Sequence, residues 1–192
     1  MPRLVSPVVA AGTLSARPQP HIEAGSLRLR PWRDADADAA VEAYSDPDIQ
    51  QWHCRRLDPG EAAEHIRSWQ AGWTDESDPC WAIADAGSDL VLGRVALRQL
   101  SLVEGYAEVS YWVLPAARQR GVATASVQAL TGWAFGELGL HRLVLEHSVR
   151  NARSCRVALA AGFEPEGTSL SAVLHQDGWH DMHRHARVAA TP

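Results

Sequence analysis

The feature of this sequence that most constrains its fold is the hexapeptide Arg118-Gln119-Arg120-Gly121-Val122-Ala123, which separates two segments of different periodicity. Apolar residues alternate from Tyr106 to Leu114, as in a strand, and recur at helical spacing from Val122 to Leu138. A chain that passes from a strand into a helix presents several backbone N–H groups without intrahelical partners, and the helix dipole adds to their attraction for a phosphate. Gly121 lets the backbone approach such a ligand closely, and the two arginines add positive charge. The hexapeptide therefore predicts an anion site at a strand-to-helix turn.

A second motif, Asn151-Ala152-Arg153-Ser154 followed by Ala161-Gly162-Phe163, comes after a predicted strand from Arg142 to Glu146. The hexapeptide resembles the pyrophosphate loop of the GNAT superfamily, the acyl-CoA-dependent N-acyltransferases, whose pattern is Arg/Gln-x-x-Gly-x-Gly/Ala. The second motif resembles the superfamily's Asn-x-x-Ser…Gly-Phe element, a helix that flanks the pantetheine arm. The resemblance covers roughly residues 27–188, and the branch that the sequence most resembles is the ribosomal-protein N-terminal acetyltransferases.

The resemblance implies an α/β (α+β) GNAT fold, with a central mixed, mostly antiparallel sheet of about seven strands, split between the fourth and fifth strands and flanked by about four helices. Local patterns agree with it, because alternating segments predict several strands and Asp177-Gly178 predicts a two-residue hairpin. The helix signals in the first half are Asp34 or Asp36, which can cap a helix to about Tyr44, and Asp58-Pro59. The strands are predicted at Leu27–Arg30, Trp81–Asp85, Val91–Arg98, Tyr106–Val113, Arg142–Glu146, Val173–His175 and Met182–Val188.

The length of 192 residues suits one domain, predicted over residues 26–192. Residues 1–25 are rich in Pro, Ala and Ser without periodicity, which predicts a flexible leader. No apolar run approaches the ~18 residues of a membrane span, and we identify no export signal.

The charged residues and the cysteines exclude several classes of protein. All 18 basic residues are Arg, so the chain lacks the lysine of a Walker-type nucleotide site and of a pyridoxal phosphate Schiff base. A net charge of −5 argues against nucleic-acid binding and accommodates a cationic substrate more easily. Three widely spaced cysteines form neither a disulfide framework nor a Cys-x-x-Cys zinc pattern, which predicts a reducing cytoplasm.

Amide formation from a thioester and an amine requires a base for the amine, a stabilised oxyanion and a proton for the departing thiolate. Glu108, on the strand before the loop, occupies the place where many GNAT enzymes carry their general base, and His147 is the alternative base. Many members protonate the thiolate with a Tyr four residues before the Gly-Phe pair, where this chain has Ala158, so the resemblance transfers that role to Ser154. Structural readings stay open: Glu108 as a surface residue paired with an Arg, and Asn151 and Ser154 as the start of a helix.

The cosubstrate contacts implied by the resemblance lie in both motifs and on the strand before the loop. Asn151 is expected on the pantetheine arm, whose amides should pair with the backbone at Trp112 and Val113 like an added strand. A backbone N–H near Val113 or Leu114 is expected to polarise the thioester carbonyl. The remaining contacts are expected from the loop: Arg118, Gln119, Arg120, Gly121, Val122 and Ala123.

The function implied is transfer of an acetyl group, or a larger acyl group, from its CoA thioester to an amine by direct attack, without an acyl-enzyme. The acceptor is either a protein N-terminus or a small-molecule amine, and the enzyme is expected as a monomer or homodimer. The alternative is a noncatalytic acyl-CoA-binding or scaffold module. We expect no metal, although Asp181, His183 and His185 would share one face of a strand, a spacing that can bind zinc.

Overall fold

A single eight-stranded sheet runs through the molecule in the computed structural model, which describes residues 4–190. Its strands follow the order β1-β2-β3-β4-β5-β6-β8-β7, and every neighbouring pair is antiparallel except β5 and β6. The sheet is therefore mixed and mostly antiparallel, as expected, but has eight strands rather than about seven. The strands are β1 (Ile22–Ala24), β2 (Leu27–Pro31), β3 (Cys80–Asp85), β4 (Val91–Ser101), β5 (Tyr106–Val113), β6 (Arg142–Ser148), β7 (Glu164–His175) and β8 (Gly178–Val188).

Within residues 4–190, five α-helices flank the sheet: α1 (Ala37–Ser45), α2 (Pro47–His53), α3 (Ala62–Thr74), α4 (Val122–Gly136) and α5 (Ala152–Ala160). The helix not predicted is α2, which begins where Asp46 Oδ1 accepts a hydrogen bond from Ile49 N at 3.0 Å and Pro47 occupies the first turn. Within the described residues, no helix combines the length and the apolar character that a membrane crossing demands.

Two hydrophobic clusters pack on opposite faces of the sheet. One contains the buried apolar residues of α4 together with Val109 of β5, and Trp73 near the end of α3 packs into it. The other contains the remaining buried apolar residues of α1 to α3 together with Trp112 of β5. Because side chains alternate along a strand, β5 contributes to both layers. Aromatic rings dominate the second cluster, where Trp32, Tyr44, Trp69 and Trp112 have ring centroids 4.5–6.4 Å apart.

The sheet splits between β5 and β6, which are the fourth and fifth strands of the predicted set. These strands pair only where Tyr106–Glu108 run beside Arg142–Val144. Beyond this point they separate, and β6 continues its pairing with β8 on its other side. On this side, part of β5 therefore presents an edge that no strand of the described residues covers.

The segment before β1 differs from the flexible leader expected over residues 1–25, of which residues 1–3 lie outside the described residues. Leu14 is fully buried, and its N–H donates to Glu76 Oε1 at 2.7 Å. The indole N–H groups of Trp73 and Trp81 donate to the carbonyls of Arg17 at 2.8 Å and Pro20 at 3.0 Å. The partners in these contacts are distant in sequence. The local pattern of the segment, which has no periodicity, therefore could not predict that it packs.

Candidate active site

A cleft of about 420 Å³ opens where β5 and β6 separate. The sequence predictions Glu108, His147, Asn151 and Ser154 all line it. The cleft also contains Tyr111, which sequence reasoning did not single out. The split thus brings together residues from β5, from β6 and from the start of α5.

Glu108 lies on β5 opposite Arg98 of β4, with its side chain 16% exposed in the cleft. Its Oε2 accepts a hydrogen bond from Gln99 Nε2 at 3.1 Å, and Arg98 Nη1 is 3.9 Å from Oε1. Burial raises the pKa of Glu108, and the Arg98 charge opposes this shift only in part. A carboxylate that holds a proton more readily than an ordinary glutamate is suited to act as a general base.

Ser154 is buried in the first turn of α5, and its Oγ accepts a hydrogen bond from the Tyr111 hydroxyl at 3.0 Å. Burial raises the pKa of Tyr111 to about 12, so this hydroxyl keeps its proton at neutral pH. The pair is therefore a proton source inside the cleft. Ala158, where many family members carry a tyrosine, is fully buried, and a tyrosine from another element stands beside the serine instead.

Asn151 caps α5, since its Oδ1 accepts a hydrogen bond from Ser154 N at 3.1 Å. This is the structural role that the sequence left open. Among the described residues its side-chain NH₂ group donates to no protein acceptor, and the residue lines the cleft. The cap therefore leaves two donor hydrogens on the cleft side.

The turn before α4 has the backbone geometry of an anion site. Gly121 precedes the helix with φ at +74°, and Gln119 also has a positive φ of 61°. In the part of the chain that the structure describes, none of the N–H groups of residues 119–124 donates to a backbone oxygen. A Cβ built on Gly121 would meet nothing within 4 Å. Glycine is thus favoured by its φ, and the open space beside it can take a phosphate.

The two arginines of this turn differ in their contacts. Arg118 donates from Nη2 to Asp46 Oδ1 at 2.5 Å and from Nη1 to Asp48 Oδ2 at 3.0 Å, so two carboxylates at the start of α2 already balance its charge. Arg120 is exposed and forms no ion pair among the described residues. Both arginines were expected to offer positive charge to a phosphate. Arg120 is free to do so, whereas Arg118 connects the turn to α2.

Two expectations about the backbone of β5 are wrong, the one for the Leu114 N–H and the one for Trp112. Leu114 N donates to Leu92 O at 2.9 Å, so it is not free to polarise a carbonyl. Because hydrogen-bonded pairs alternate along an antiparallel ladder, Trp112, opposite Arg94, also directs its N–H and C=O toward β4. The backbone of Tyr111 and Val113 faces the split instead. The carbonyls of these two residues accept hydrogen bonds from His53 Nε2 at 3.1 Å and from Arg118 Nε at 3.3 Å. Their N–H groups have no acceptor among the described residues, because pairing with β6 ends at Glu108.

A buried arginine lies on the α2–α3 side of the cleft. Arg94 is 7% exposed, donates from Nε to Cys80 Sγ at 2.9 Å and has its Cζ 5.1 Å from the centroid of the Trp69 ring. No carboxylate of the described residues forms an ion pair with it. Burial, and then the charge of Arg94, lower the pKa of His53 to about 4, so His53 is neutral at pH 7. This end of the cleft carries a positive charge with no acidic partner.

His147, the alternative base, is buried, and both of its ring nitrogens contact protein groups. Its Nδ1 lies 2.8 Å from the Ser148 carbonyl oxygen, and its Nε2 lies 3.1 Å from Nε2 of His185. Burial lowers the pKa of His147, which weakens it as a base. Nearby, a second polar chain connects β6 to the β7–β8 hairpin, from Ser148 Oγ to His180 and on to Asp177, with both contacts at 2.8 Å.

Comparison with known proteins agrees with this geometry. The acetyltransferase (GNAT) domain family matches residues 26–164. The chain is 25% identical over 163 residues to an uncharacterised N-acetyltransferase, YoaA, of Bacillus subtilis, covering 83% of this chain and 90% of the relative. It is 26% identical over 161 residues to a putative ribosomal N-acetyltransferase, YdaF, of the same organism, covering 82% and 87%. In fold it is similar to the ribosomal L7/L12 alpha-N-protein acetyltransferase RimL in complex with coenzyme A, with a TM-score of 0.81, 19% identity and coverage of 88% of this chain and 98% of that one.

Proposed function

Because this chain belongs to the GNAT acetyltransferase family, we propose that it transfers an acetyl group from acetyl-CoA to a primary amine in the cleft between β5 and β6. The observation that carries this proposal is the convergence of a buried carboxylate, a serine–tyrosine pair and an open strand edge in one cleft. The free cysteines support a cytoplasmic location, since a reducing compartment keeps thiols unpaired.

Glu108 takes a proton from the acceptor amine, directly or through water, because a protonated amine has no lone pair for attack. The amine nitrogen then forms a C–N bond at the thioester carbonyl, and the C–S bond breaks without an acyl-enzyme. Ser154 gives its proton to the departing thiolate, and the Tyr111 hydroxyl, 3.0 Å away, replaces that proton. The second proton that the nitrogen loses as the amide forms passes through water to the Tyr111 oxygen, which restores both hydroxyls. The backbone N–H groups of Tyr111 and Val113, on the open edge of β5, are the donors available to stabilise the oxyanion.

The residues around the cleft fit acetyl-CoA at three places. The free N–H groups of residues 119–124 and the exposed Arg120 would hold the pyrophosphate beside Gly121. The open edge at Tyr111 and Val113 would pair with the pantetheine amides, and the side-chain NH₂ of Asn151 would donate to the same arm. What acetyl-CoA supplies is the activated acetyl group; the chain supplies donors, a base and an acid.

The acceptor that we propose carries an anionic group in addition to its amine. Arg94 and Arg98 lie on one face of β4, and four residues of a strand span about 13 Å. Arg98 is opposite Glu108, so the buried charge of Arg94 lies one short substrate length from the base. A buried charge without a partner is costly, and a carboxylate or phosphate on the acceptor would offset that cost. A peptide N-terminus followed by an acidic residue and a small amino acid both fit; the ribosomal acetyltransferase names among the relatives favour the peptide.

The test is a set of paired acceptors, each amine compared with its neutral analogue, such as a short peptide with an acidic or an amide residue near its N-terminus. Release of free CoA and mass analysis of the acetylated product give the rates. We expect the anionic member of a pair to be preferred, and Arg94→Met to remove the preference while Arg67→Met, at an exposed position of α3, keeps it. If acetyl-CoA binds but no amine is acetylated, the chain is the noncatalytic module instead.

A further inference from the structure

Four side chains that could bind a metal meet at the β6 wall of the cleft, which His147 lines. His147 from β6, His183 and His185 from β8 and Cys155 from α5 place one donor atom each within 4.8 Å of all the others. His147 and His185 are buried, and His183 and Cys155 are half-buried. We refer to these four residues as the His₃Cys cluster. None of them has a role in the transfer proposed above.

The donor distances are close to those of a tetrahedral zinc site. Zinc bonds of about 2.0–2.1 Å to nitrogen and about 2.3 Å to sulfur place neighbouring donors about 3.3–3.6 Å apart. The two Nε2 atoms of His147 and His185 are 3.1 Å apart, and Cys155 Sγ is 3.9 Å from His185 Nε2. No pair in the cluster has to approach by more than about 1.5 Å to reach this geometry.

The hydrogen bonds of the cluster prepare its nitrogens for a cation. The Nδ1–H of His147 donates to the backbone carbonyl of Ser148 at 2.8 Å, which leaves the Nε2 lone pair directed at His185. A carbonyl that accepts from the second ring nitrogen is the usual support of a metal-bound histidine. His185 Nδ1 is buried and forms no hydrogen bond among the described residues, and the proton of that ring lies on Nε2, facing the lone pair of His147. A cation that binds both Nε2 atoms has to displace this proton to Nδ1.

The sequence indicated a different set, Asp181, His183 and His185 on one face of β8. Asp181 Oδ1 instead accepts a hydrogen bond from Ser171 N of β7 at 2.8 Å and lies outside the cluster. In its place the fold adds His147 and Cys155, which are distant in sequence. Imidazole and thiolate donors favour zinc-class ions over magnesium or calcium, which prefer oxygen.

We propose that the His₃Cys cluster binds one zinc-class divalent cation and so connects β6, β8 and the first turn of α5. That turn also carries Ser154 and its cap Asn151. The bound ion would hold the proton donor of the cleft at a fixed position relative to the sheet.

The proposal is tested on the full chain after removal of metal with a chelator. Competition with a chromophoric chelator measures the affinity and stoichiometry for Zn²⁺, and Co²⁺ serves as a spectroscopic probe, because a thiolate ligand gives a sulfur-to-cobalt charge-transfer band. We expect one ion per chain, a charge-transfer band, and a higher melting temperature with Zn²⁺. Absence of stoichiometric Zn²⁺ binding would overturn the proposal.

Two variants and two controls separate this cluster from other histidines and cysteines. Cys155→Ser should remove the charge-transfer band, and His183→Ala should weaken Zn²⁺ binding by at least about 10- to 100-fold, the loss typical of groups that only support a ligand. Cys54→Ser and His141→Ala change an exposed cysteine and an exposed histidine outside the cluster and should leave both readouts unchanged. The melting temperature of each metal-free variant confirms folding. Loss of binding in Cys54→Ser, whose Sγ lies 3.5 Å from His175 Nδ1, would assign the ion to the cleft instead.

Discussion

Replacing Glu108 by glutamine tests the base of the proposed reaction with the least structural change. The amide keeps the shape of the side chain and still accepts a hydrogen bond from Gln99, but it cannot take a proton from the amine. A positioned general base contributes about 100- to 10,000-fold to a rate. We therefore expect the rate at pH 7 to fall by that factor, an increase of about 2.7–5.4 kcal/mol in the activation free energy.

The pH profile gives an independent check of the same substitution. Burial raises the pKa of Glu108, so in the wild-type enzyme kcat/KM should fall as the pH decreases through a value above that of an ordinary glutamate. The base works only when it is deprotonated, hence the loss is on the acid side. In Glu108→Gln the limb due to Glu108 should be absent. The rate should then follow deprotonation of the free amine and recover partly at high pH.

Initial rates of CoA release with a productive acceptor provide the assay, and calorimetry with acetyl-CoA shows that binding is intact. Glu104→Gln, in the exposed turn between β4 and β5, is the matched control and should behave as wild type. Full activity of Glu108→Gln at pH 7 would refute the assignment of the base. Equal losses of acetyl-CoA affinity and turnover would mean that the side chain supports the cleft rather than the chemistry.

Three further predictions concern the acid, the turn and the sheet. Ser154→Ala and Tyr111→Phe should each lower turnover with little change in acetyl-CoA affinity, because the proton is needed only after binding. Single-turnover rates measure the loss, and an unchanged rate in both variants would exclude the serine–tyrosine pair as the proton source. Gly121→Val should cost about 1–3 kcal/mol of folding free energy, since valine must adopt a φ of +74°, and should abolish the rise in melting temperature that acetyl-CoA gives the wild type. Asp36→Ala should lower the free energy of unfolding in urea by about 1–3 kcal/mol, because it removes the bidentate partner of the buried Arg30 and leaves Asp89 as its remaining carboxylate. A loss below about 1 kcal/mol would contradict this.

The parts of the fold that could be predicted are those in which burial leaves a periodic pattern. The β5 prediction, Tyr106–Val113, coincides with the strand in the structure because its side chains alternate between two packed layers. β7 was predicted only over its last three residues. From Glu164 to Leu174 it is exposed at every position, so an edge strand of this kind carries no apolar alternation to detect. The helix α2 was not predicted, although Asp46-Pro47 is a signal for the start of a helix.

The same distinction applies to the site. The turn at Gly121 could be predicted, because the direction of its N–H groups depends on local chain geometry. The partner of Ser154 could not, since Tyr111 lies 43 positions away and meets it only across the split. The ion pair of Arg118 with Asp46 spans 72 positions, and no local pattern reveals that this charge is already balanced. Motifs thus identified the elements of the cleft, while contacts between elements decide which side chains are free to act.

The packed segment before β1 has a consequence for how the chain folds during synthesis. This segment is synthesised before the residues that it contacts, because the acceptor for Leu14 N lies 62 positions later in Glu76 and Val8 N donates to the carbonyl of Val103. Until α3, β3 and β4 have been synthesised, this segment lacks the partners that it contacts in the folded chain. Loop closure over such distances is slow compared with local contacts, so docking of the N-terminal segment should follow assembly of the first strands. A segment that precedes its partners in the chain is therefore expected to reach its native position after them.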